Sequence, residues 1–110
     1  MNNYELFIDG YRLPQPLIKD ELDKLIKEAC SGSKEARDKL IIHNIRLVLH
    51  EVTNRFRNID YDKKDLVSIG SIGLVKAVNT YDKTKEVKFA TYAVRCIEKY
   101  NFNVFKKSKT

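Results

Sequence analysis

The sequence predicts an all-α protein, a compact bundle of about four helices. Apolar residues recur at spacings of three and four along most of the chain, as on one side of a helix. Glycine and proline, which interrupt helices, number only 4 and 2. A chain of 110 residues can bury a core without disulfides or metal ions. One folded domain is therefore expected.

The first helix is predicted to begin near Pro16, because the prolines of LPQPL favour an extended backbone before it. Its apolar stripe consists of Leu22, Leu25, Ile26 and Ala29. Gly32 suits the end of this helix, and Ser33 suits the amino-terminal cap of the next.

A long amphipathic helix is predicted from Ser33 to about Arg57. Its apolar positions are Ala36, Leu40, Ile41, Ile45, Leu47, Val48, Val52 and Phe56. The polar segment NIDYDKK then breaks the pattern, and Asp62 can cap the following helix. Asp65 lies in the first turn of that helix, where the macrodipole favours an acidic side chain.

The third helix is predicted in DLVSIGSIGLVKAVNTYD, which contains Gly70 and Gly73. Each glycine lowers helix stability by about 1 kcal/mol relative to alanine, so close packing against a neighbouring helix is the expected compensation. A GxxG between basic residues would suggest the RNA-binding loop of a KH domain. Here it lies inside a continuous apolar pattern, which argues against that loop.

The fourth helix is predicted from Lys88 to about Ile97, after the charged loop DKTKEVK. Its inward residues are Phe89, Tyr92, Ala93, Cys96 and Ile97. After Glu98, asparagines and β-branched or aromatic residues occupy positions where good helix formers are needed. Local propensity therefore predicts that no stable helix continues there.

Three parts of the chain follow from these patterns: an extended amino-terminal segment over residues 1–15, a helical domain over residues 16–98, and a divergent basic tail over residues 99–110. From Met1 to Asp82 there are 13 Lys and Arg against 13 Asp and Glu, whereas the rest of the chain has 8 against 2. Such asymmetry is expected of a surface that meets phosphates, and also of a basic tail that improves solubility.

Several classes of protein are disfavoured by the sequence. No segment has the pattern of a signal peptide or the length of a membrane span, which predicts a cytoplasmic protein without a membrane partner. Neither the two cysteines, Cys30 and Cys96, nor the two histidines, His43 and His50, have partners at metal-ligand spacing. No nucleophile motif, phosphate loop or HExxH motif is present, so neither catalysis nor a metal or other cofactor is expected.

One short region alternates aromatic with basic residues: Tyr81, Phe89 and Tyr92 with Lys83, Lys85, Lys88 and Arg95. Aromatic rings can stack on unpaired bases while cations hold the nucleic-acid backbone, and each stacked base contributes about 1–3 kcal/mol. Phe89 fits the inward stripe and is predicted to be core. Tyr81 and Tyr92 fit either role.

Three segments resemble conserved region 2 of bacterial sigma factors: HNIRLVLHEVTNRF, DLVSIGSIGLVKAVNTYD and KFATYAVRCIE. Their order and spacing match too, and the resemblance covers roughly Leu13 to Glu98. LPQPL followed by an acidic helix, and the string ATYAVRCIE, are most similar to the sporulation sigma factors, particularly the sigma-K type. The resemblance implies transcription initiation by a protein that is monomeric when free, with core RNA polymerase, promoter DNA and an anti-sigma factor as partners.

The resemblance also implies which residues bind each partner. The glycine-containing helix resembles the segment that binds the clamp helices of the polymerase largest subunit, at Asp65, Ser68, Ile69, Ser71, Leu74 and Val75. Tyr81 and Tyr92 match the residues that capture bases flipped from the non-template strand of the −10 element. The expected contacts to the DNA backbone are Lys83, Lys85, Lys88, Arg95 and Lys99.

The sequence departs from the family at three places. Glu86 stands where the loop usually has a glycine, and Arg95 and Cys96 stand where housekeeping sigma factors carry two tryptophans. After Glu98, the family continues with the helix that reads −10 bases, whereas this chain has KYNFNVFKKSKT. We hypothesise that this tail is a frame-shifted reading, so that the fragment initiates weakly or not at all, and sequencing the gene tests this.

Two alternatives to a DNA-binding sigma fragment stay open on the sequence alone. A helical interaction protein could occupy the clamp helices without engaging DNA. A helix-turn-helix repressor fits less well, because its recognition helix needs exposed polar residues and DLVSIGSIGLVKAV is mostly apolar. The end of a split gene and a native terminus are the alternatives to a frame shift.

Overall fold

The computed structural model describes residues 7–8, 11–12, 14–55 and 62–108. Within these ranges, a two-stranded antiparallel hairpin is followed by five helices. The elements are β1 (Phe7–Ile8), β2 (Tyr11–Arg12), α1 (Lys19–Cys30), α2 (Lys34–His43), α3 (Ile45–Arg55), α4 (Lys63–Thr80) and α5 (Phe89–Ser108). The predicted all-α class is confirmed, since each strand has only two residues.

Local side chains fix several helix ends. Gly32 has a φ of 104° just after α1, a left-handed conformation that suits glycine. Ser33 Oγ accepts a hydrogen bond from Ala36 N at 3.1 Å, and Asp62 Oδ1 accepts one from Lys64 N at 2.9 Å. The predicted helix end and the two predicted caps are therefore confirmed.

The long helix predicted from Ser33 to about Arg57 is wrong in its continuity, because the chain breaks at Asn44. Asn44 has φ −110° and ψ 8°, and its Nδ2 donates to Leu40 O at 2.8 Å. An amide side chain that bonds a carbonyl four residues back competes with the helical ladder. Two helices, α2 and α3, result. The predicted end of the helix, with Phe56 and Arg57, lies outside the described residues.

The core lies where α4 packs against α5, α3 and α2, and α1 packs on α2. Its members are Ile26, Ala29, Ala36, Leu40, Val48, Val52, Leu66, Leu74, Ala77, Val78, Phe89, Ala93 and Ile97. Phe89 is 4% exposed, which confirms its predicted place in the core.

The two glycines of α4 allow a close approach to α5. A Cβ atom on Gly73 would lie 2.6 Å from Cys96 O and 2.8 Å from Ile97 Cα, so the two backbones are in direct contact. A Cβ atom on Gly70 would lie 2.8 Å from Val48 Cγ1. The predicted close packing at these glycines is therefore confirmed.

The expectation that the helix ends after Glu98 is wrong, because α5 continues to Ser108. Asn101 is 1% exposed and lies beside Gly70, at the interface with α4. Packing against a neighbouring helix can outweigh weak local propensity. Glu98 is therefore not a helix boundary.

Candidate functional site

Three aromatic rings meet where α4 ends and α5 begins. The ring of Tyr81 lies edge-on to Phe89, with centroids 5.3 Å apart, and tilted against Tyr92, with centroids 5.7 Å apart. Phe89 is buried, whereas Tyr81 and Tyr92 are half-buried. The structure thus brings the two predicted base-capturing residues together and packs them on a core residue.

Both tyrosine hydroxyls are engaged within the protein. Tyr81 Oη donates to Val87 O at 2.7 Å, which closes the loop over residues 82–88. Tyr92 Oη lies 2.6 Å from Thr80 Oγ1, which ties α5 to the last residue of α4. Since the hydroxyls are held in this way, the exposed parts of the rings are what a ligand would contact.

The phenol of Tyr81 is neutral at physiological pH. Burial raises its pKa above the ordinary value of 10.0, and Cys30 and Asp82 add to the increase. An uncharged ring brings no repulsion towards phosphates. Its chemistry at this site is therefore that of a stacking surface.

The loop between α4 and α5 is organised by Asp82. The Asp82 carboxylate accepts hydrogen bonds from Thr84 N at 2.9 Å and from Thr84 Oγ1 at 2.6 Å. These bonds lower the pKa of Asp82 below its ordinary value of 3.8, so it stays ionised. Lys83, Lys85 and Glu86 all lie exposed on this loop. The resemblance would place a glycine at position 86. This chain has Glu86 there, and the hydrogen bonds of Asp82 stabilise the turn instead.

Three exposed cations are found near Tyr92: Lys88 directly precedes α5, and Arg95 and Lys99 lie on it. Successive spacings of four, three and four residues from Lys88 through Tyr92 to Lys99 place them on one helical face. None of the three cations forms an ion pair with an acidic residue in the described part of the chain. We call these three residues the basic stripe.

The six positions predicted to bind polymerase do not share one surface of α4. Asp65 and Ser68 are exposed, and Val75 is 38% exposed. Ile69 and Ser71 are half-buried. Leu74 is 0% exposed, because its side chain lies in the core of this protein, so it is not part of an exposed surface of α4. Its contact with a partner stays a prediction.

Ile72 is a candidate contact residue that motif matching missed. Its side chain is 55% exposed, although it is large and apolar. Asp65, Ser68, Ile72 and Val75 follow one another at spacings of three and four, so they form a single exposed row, which we call the α4 row. That spacing was the available signal, but choosing the exposed row required knowing which side of α4 faces the core.

No group of three or more His, Cys, Asp or Glu residues in the described ranges is arranged to hold a metal ion. Cys30 and Cys96 are free thiols. Among the described residues, no helix combines the length and apolar character needed to span a bilayer.

Comparison with known proteins finds one matching family model and several similar proteins that are named RNA polymerase sigma factors. The family model described as Sigma-70 region 2 matches residues 40–109. The RNA polymerase sigma-E factor of Clostridium acetobutylicum is 49% identical over 86 residues, which cover 78% of this chain and 36% of the relative. The sigma-K factor of Bacillus subtilis is 44% identical over 92 residues, covering 84% and 31%. The sigma-28 factor of Bacillus thuringiensis subsp. kurstaki is 42% identical over 106 residues, covering 94% and 44%.

The chain spans between about a third and a half of the length of these relatives. The family match also continues beyond Glu98, where the resemblance read from the sequence ended, to residue 109. The family pattern therefore extends along α5. The frame-shift hypothesis stays a prediction that the gene sequence tests.

Proposed function

The chain belongs to the sigma-70 region 2 family, in its sporulation type, and from this premise we propose that it binds core RNA polymerase and the −10 element in transcription initiation. Sigma factors are transcription regulators rather than enzymes, so this role needs no catalytic residue. The DNA bound would be the non-template strand. The protein would act in the cytoplasm and be monomeric when free.

The α4 row supports the proposed polymerase contact. Ile72 and Val75 expose apolar side chains next to each other on the row, and Ser68 and Asp65 continue it towards the start of the helix. A mixed surface with apolar residues beside polar ones is typical of contacts between proteins. We propose that this row, with the half-buried Ile69 and Ser71 at its edge, meets the clamp helices of the largest subunit.

The observation that carries the DNA half of the proposal is the position of the Tyr81–Tyr92 ring pair on the same side of the protein as the basic stripe. Tyr92 belongs to the same face of α5 as the stripe, and Tyr81 packs against it at 5.7 Å. From Lys88 to Lys99 the stripe extends about 16 Å along the helix, given a rise of 1.5 Å per residue. It could therefore contact several phosphates while a base lies on the rings.

The magnitudes are compatible with capture of a base. Flipping a base out of a duplex costs a few kcal/mol, and stacking on aromatic rings returns about 1–3 kcal/mol per base. The remainder must come from phosphate contacts, for which the basic stripe and the loop residues Lys83 and Lys85 are available. Binding to single strands, which need no unpairing, should therefore be the stronger activity of this chain.

Two substitutions test the proposal, and each is expected to weaken either DNA binding or polymerase binding while leaving the other unchanged. Tyr92→Ala is expected to lower affinity for a single-stranded −10 oligonucleotide by roughly tenfold, the effect of losing one stacked base, and to leave pull-down by core polymerase unchanged. Ile72→Asp is expected to do the reverse, because it places a charge in the apolar part of the α4 row. Ile18→Asp is the matched control, since Ile18 is 66% exposed and lies on neither surface.

Absence of core binding by the unaltered chain would remove the proposal altogether. A second candidate function is a helical module that occupies the clamp helices without binding DNA. It is favoured by the internal hydrogen bonds of Tyr81 and Tyr92, which are also what packing residues would make. In that case Ile72→Asp would abolish pull-down, and Tyr92→Ala would change nothing.

A further inference from the structure

The hydrogen bond between Tyr92 and Thr80 has a defined direction. Thr80 Oγ1 lies 2.7 Å from Lys76 O and 2.6 Å from Tyr92 Oη. A hydroxyl carries one hydrogen, and a carbonyl oxygen can only accept, so the hydrogen of Thr80 is used on Lys76 O. Tyr92 Oη must therefore donate to Thr80 Oγ1.

We propose that Thr80 is a positioning residue for Tyr92, which it orients for stacking on an unpaired base of single-stranded DNA. This inference rests on the proposed function. The chain of bonds from Tyr92 Oη through Thr80 Oγ1 to Lys76 O anchors the tip of the ring to the backbone of α4. Thr80 acts through Tyr92 and needs no contact of its own with DNA.

The ring of Tyr92 is restrained at two points. Its hydroxyl is held by Thr80, and the ring lies tilted by 46° against Tyr81. Tyr81 is itself fixed, because its hydroxyl donates to Val87 O. A ring that already has its bound orientation loses less conformational freedom when a base stacks on it, and this strengthens binding.

Substitutions at position 80 can separate the hydrogen bond from the shape of the side chain. Valine has nearly the volume of threonine and a similar helix propensity, but it offers no acceptor to Tyr92. Serine keeps the hydroxyl. The bond is exposed to solvent, so its loss should disturb the orientation of the ring far more than the fold.

Fluorescence anisotropy with the full 110-residue chain measures the effect. The probes are an AT-rich single-stranded DNA oligonucleotide and the same strand with abasic sites in place of its central bases. Thr80→Val is expected to weaken binding to the intact strand by roughly two- to tenfold, the range of one net hydrogen bond, and to leave binding to the abasic strand unchanged. Thr80→Ser is expected to bind both strands as the unaltered chain does.

Tyr92→Phe provides an independent route, because it removes the donor of the same bond. It should reproduce the loss seen in Thr80→Val, and the double variant should bind no more weakly than either single variant. If thermal melting shows that Thr80→Val is unfolded, Tyr92→Phe alone decides: weaker binding to the intact strand with unchanged binding to the abasic strand supports the inference, and unchanged binding to both overturns it. Additive losses in the double variant would overturn the inference.

The other outcomes are also decisive. Equal losses on the intact and abasic strands, or no loss on either, would overturn the positioning role. If Tyr92→Ala loses base-dependent binding while Thr80→Val does not, only this inference fails. If Tyr92→Ala binds both strands as the unaltered chain does, the proposed DNA-binding function fails as well.

Discussion

The two ends of α5 are built from different chemistry. Near its start, Phe89, Ala93 and Ile97 form a buried apolar stripe. One turn after Ile97, the core position is taken by Asn101, whose Oδ1 is buried without a hydrogen-bond partner in the described part of the chain. A buried carbonyl that forms no hydrogen bond lowers stability by about 1–3 kcal/mol.

A carboxyl pair lies beside the same later part of α5. Glu98 Oε2 lies 2.6 Å from Arg55 Nη2, and Glu51 Oε2 lies 3.8 Å from Arg55 Nε. Glu98 also raises the pKa of Glu51, after the larger effect of burial, so two acidic groups meet around one guanidinium. The junction between α3 and this part of α5 is therefore sensitive to charge.

The difference shows that one helix can have two sources of stability. Apolar periodicity supports the first part of α5, which also carries Tyr92 and Arg95 of the proposed DNA surface. The later part is stabilised by the contact of Asn101 with α4 at Gly70. The burial of the polar Asn101 side chain opposes this stabilisation. We expect the first part to resist local unfolding better, and three substitutions test this contrast.

The largest effect is expected at Gly73 of α4, which contacts α5 at Cys96 and Ile97, between the first and the later part of that helix. Gly73→Ala should lower the free energy of unfolding by about 2 kcal/mol, because the new Cβ would meet backbone atoms of Cys96 and Ile97 that cannot rotate away. This is the net loss, because it already includes the gain of about 1 kcal/mol that alanine brings over glycine in helix propensity. Urea denaturation measures it.

Gly70→Ala is the matched control for this prediction. The atoms nearest its new Cβ are Val48 Cγ1 at 2.8 Å and Asn101 Nδ2 at 3.1 Å, which belong to side chains that can move. Its loss should be smaller than that of Gly73→Ala. Equal losses would contradict backbone contact between α4 and α5.

An increase in stability is expected from Asn101→Leu. Leucine branches at Cγ as asparagine does, and it removes a buried carbonyl that has no hydrogen-bond partner among the described residues. We expect the free energy of unfolding to rise by about 1–2 kcal/mol, measured in the same urea titration. The gain would make the later part of α5 resemble the first.

Asn79→Leu is the control for this prediction, because Asn79 is exposed on α4 and its change should be within about 0.5 kcal/mol. A loss of stability in Asn101→Leu would contradict the net gain expected from removing the buried carbonyl. The contrast between the two parts of α5 would then fail.

The features that could be predicted from the sequence are mainly those that depend on residues close together along the chain. The caps at Ser33 and Asp62 need only one side chain and a nearby backbone N–H group, and both are observed. Gly70 and Gly73 signalled close packing because glycine is unfavourable inside a helix without such a reason. The aromatic pair was recognisable from its spacing and from the family motif.

The features that were missed depend on which groups meet in three dimensions. The apolar pattern continues across Asn44, so periodicity gave no sign of the break between α2 and α3. Leu74 and Ile72 are both apolar residues of α4, and only packing shows that the first is buried and the second exposed. Asn101 is a poor helix former, yet its place against Gly70 lies within a helix.

The smallest predicted effect concerns the carboxyl pair. Burial, followed by the hydrogen bond and negative charge of Glu98, raises the pKa of Glu51 above its ordinary value of 4.5. A raised pKa in the folded state means that Glu51 stabilises the fold below its unfolded pKa, and that this contribution is lost as pH rises through the folded pKa. Protonated Glu51 can donate to Glu98, whereas the ionised form repels it.

Glu51→Gln keeps a hydrogen-bond donor for Glu98 without titrating. At neutral pH it should raise the free energy of unfolding by about 0.5 kcal/mol, and the difference from the unaltered chain should disappear as pH falls towards 4.5. Glu35→Gln is the control, because Glu35 is exposed and forms an ion pair with Lys39 at 3.5 Å rather than with a second carboxyl group. Urea titrations across this pH range would contradict the carboxyl pair if the difference did not depend on pH, since a purely steric effect of glutamine would persist at every pH.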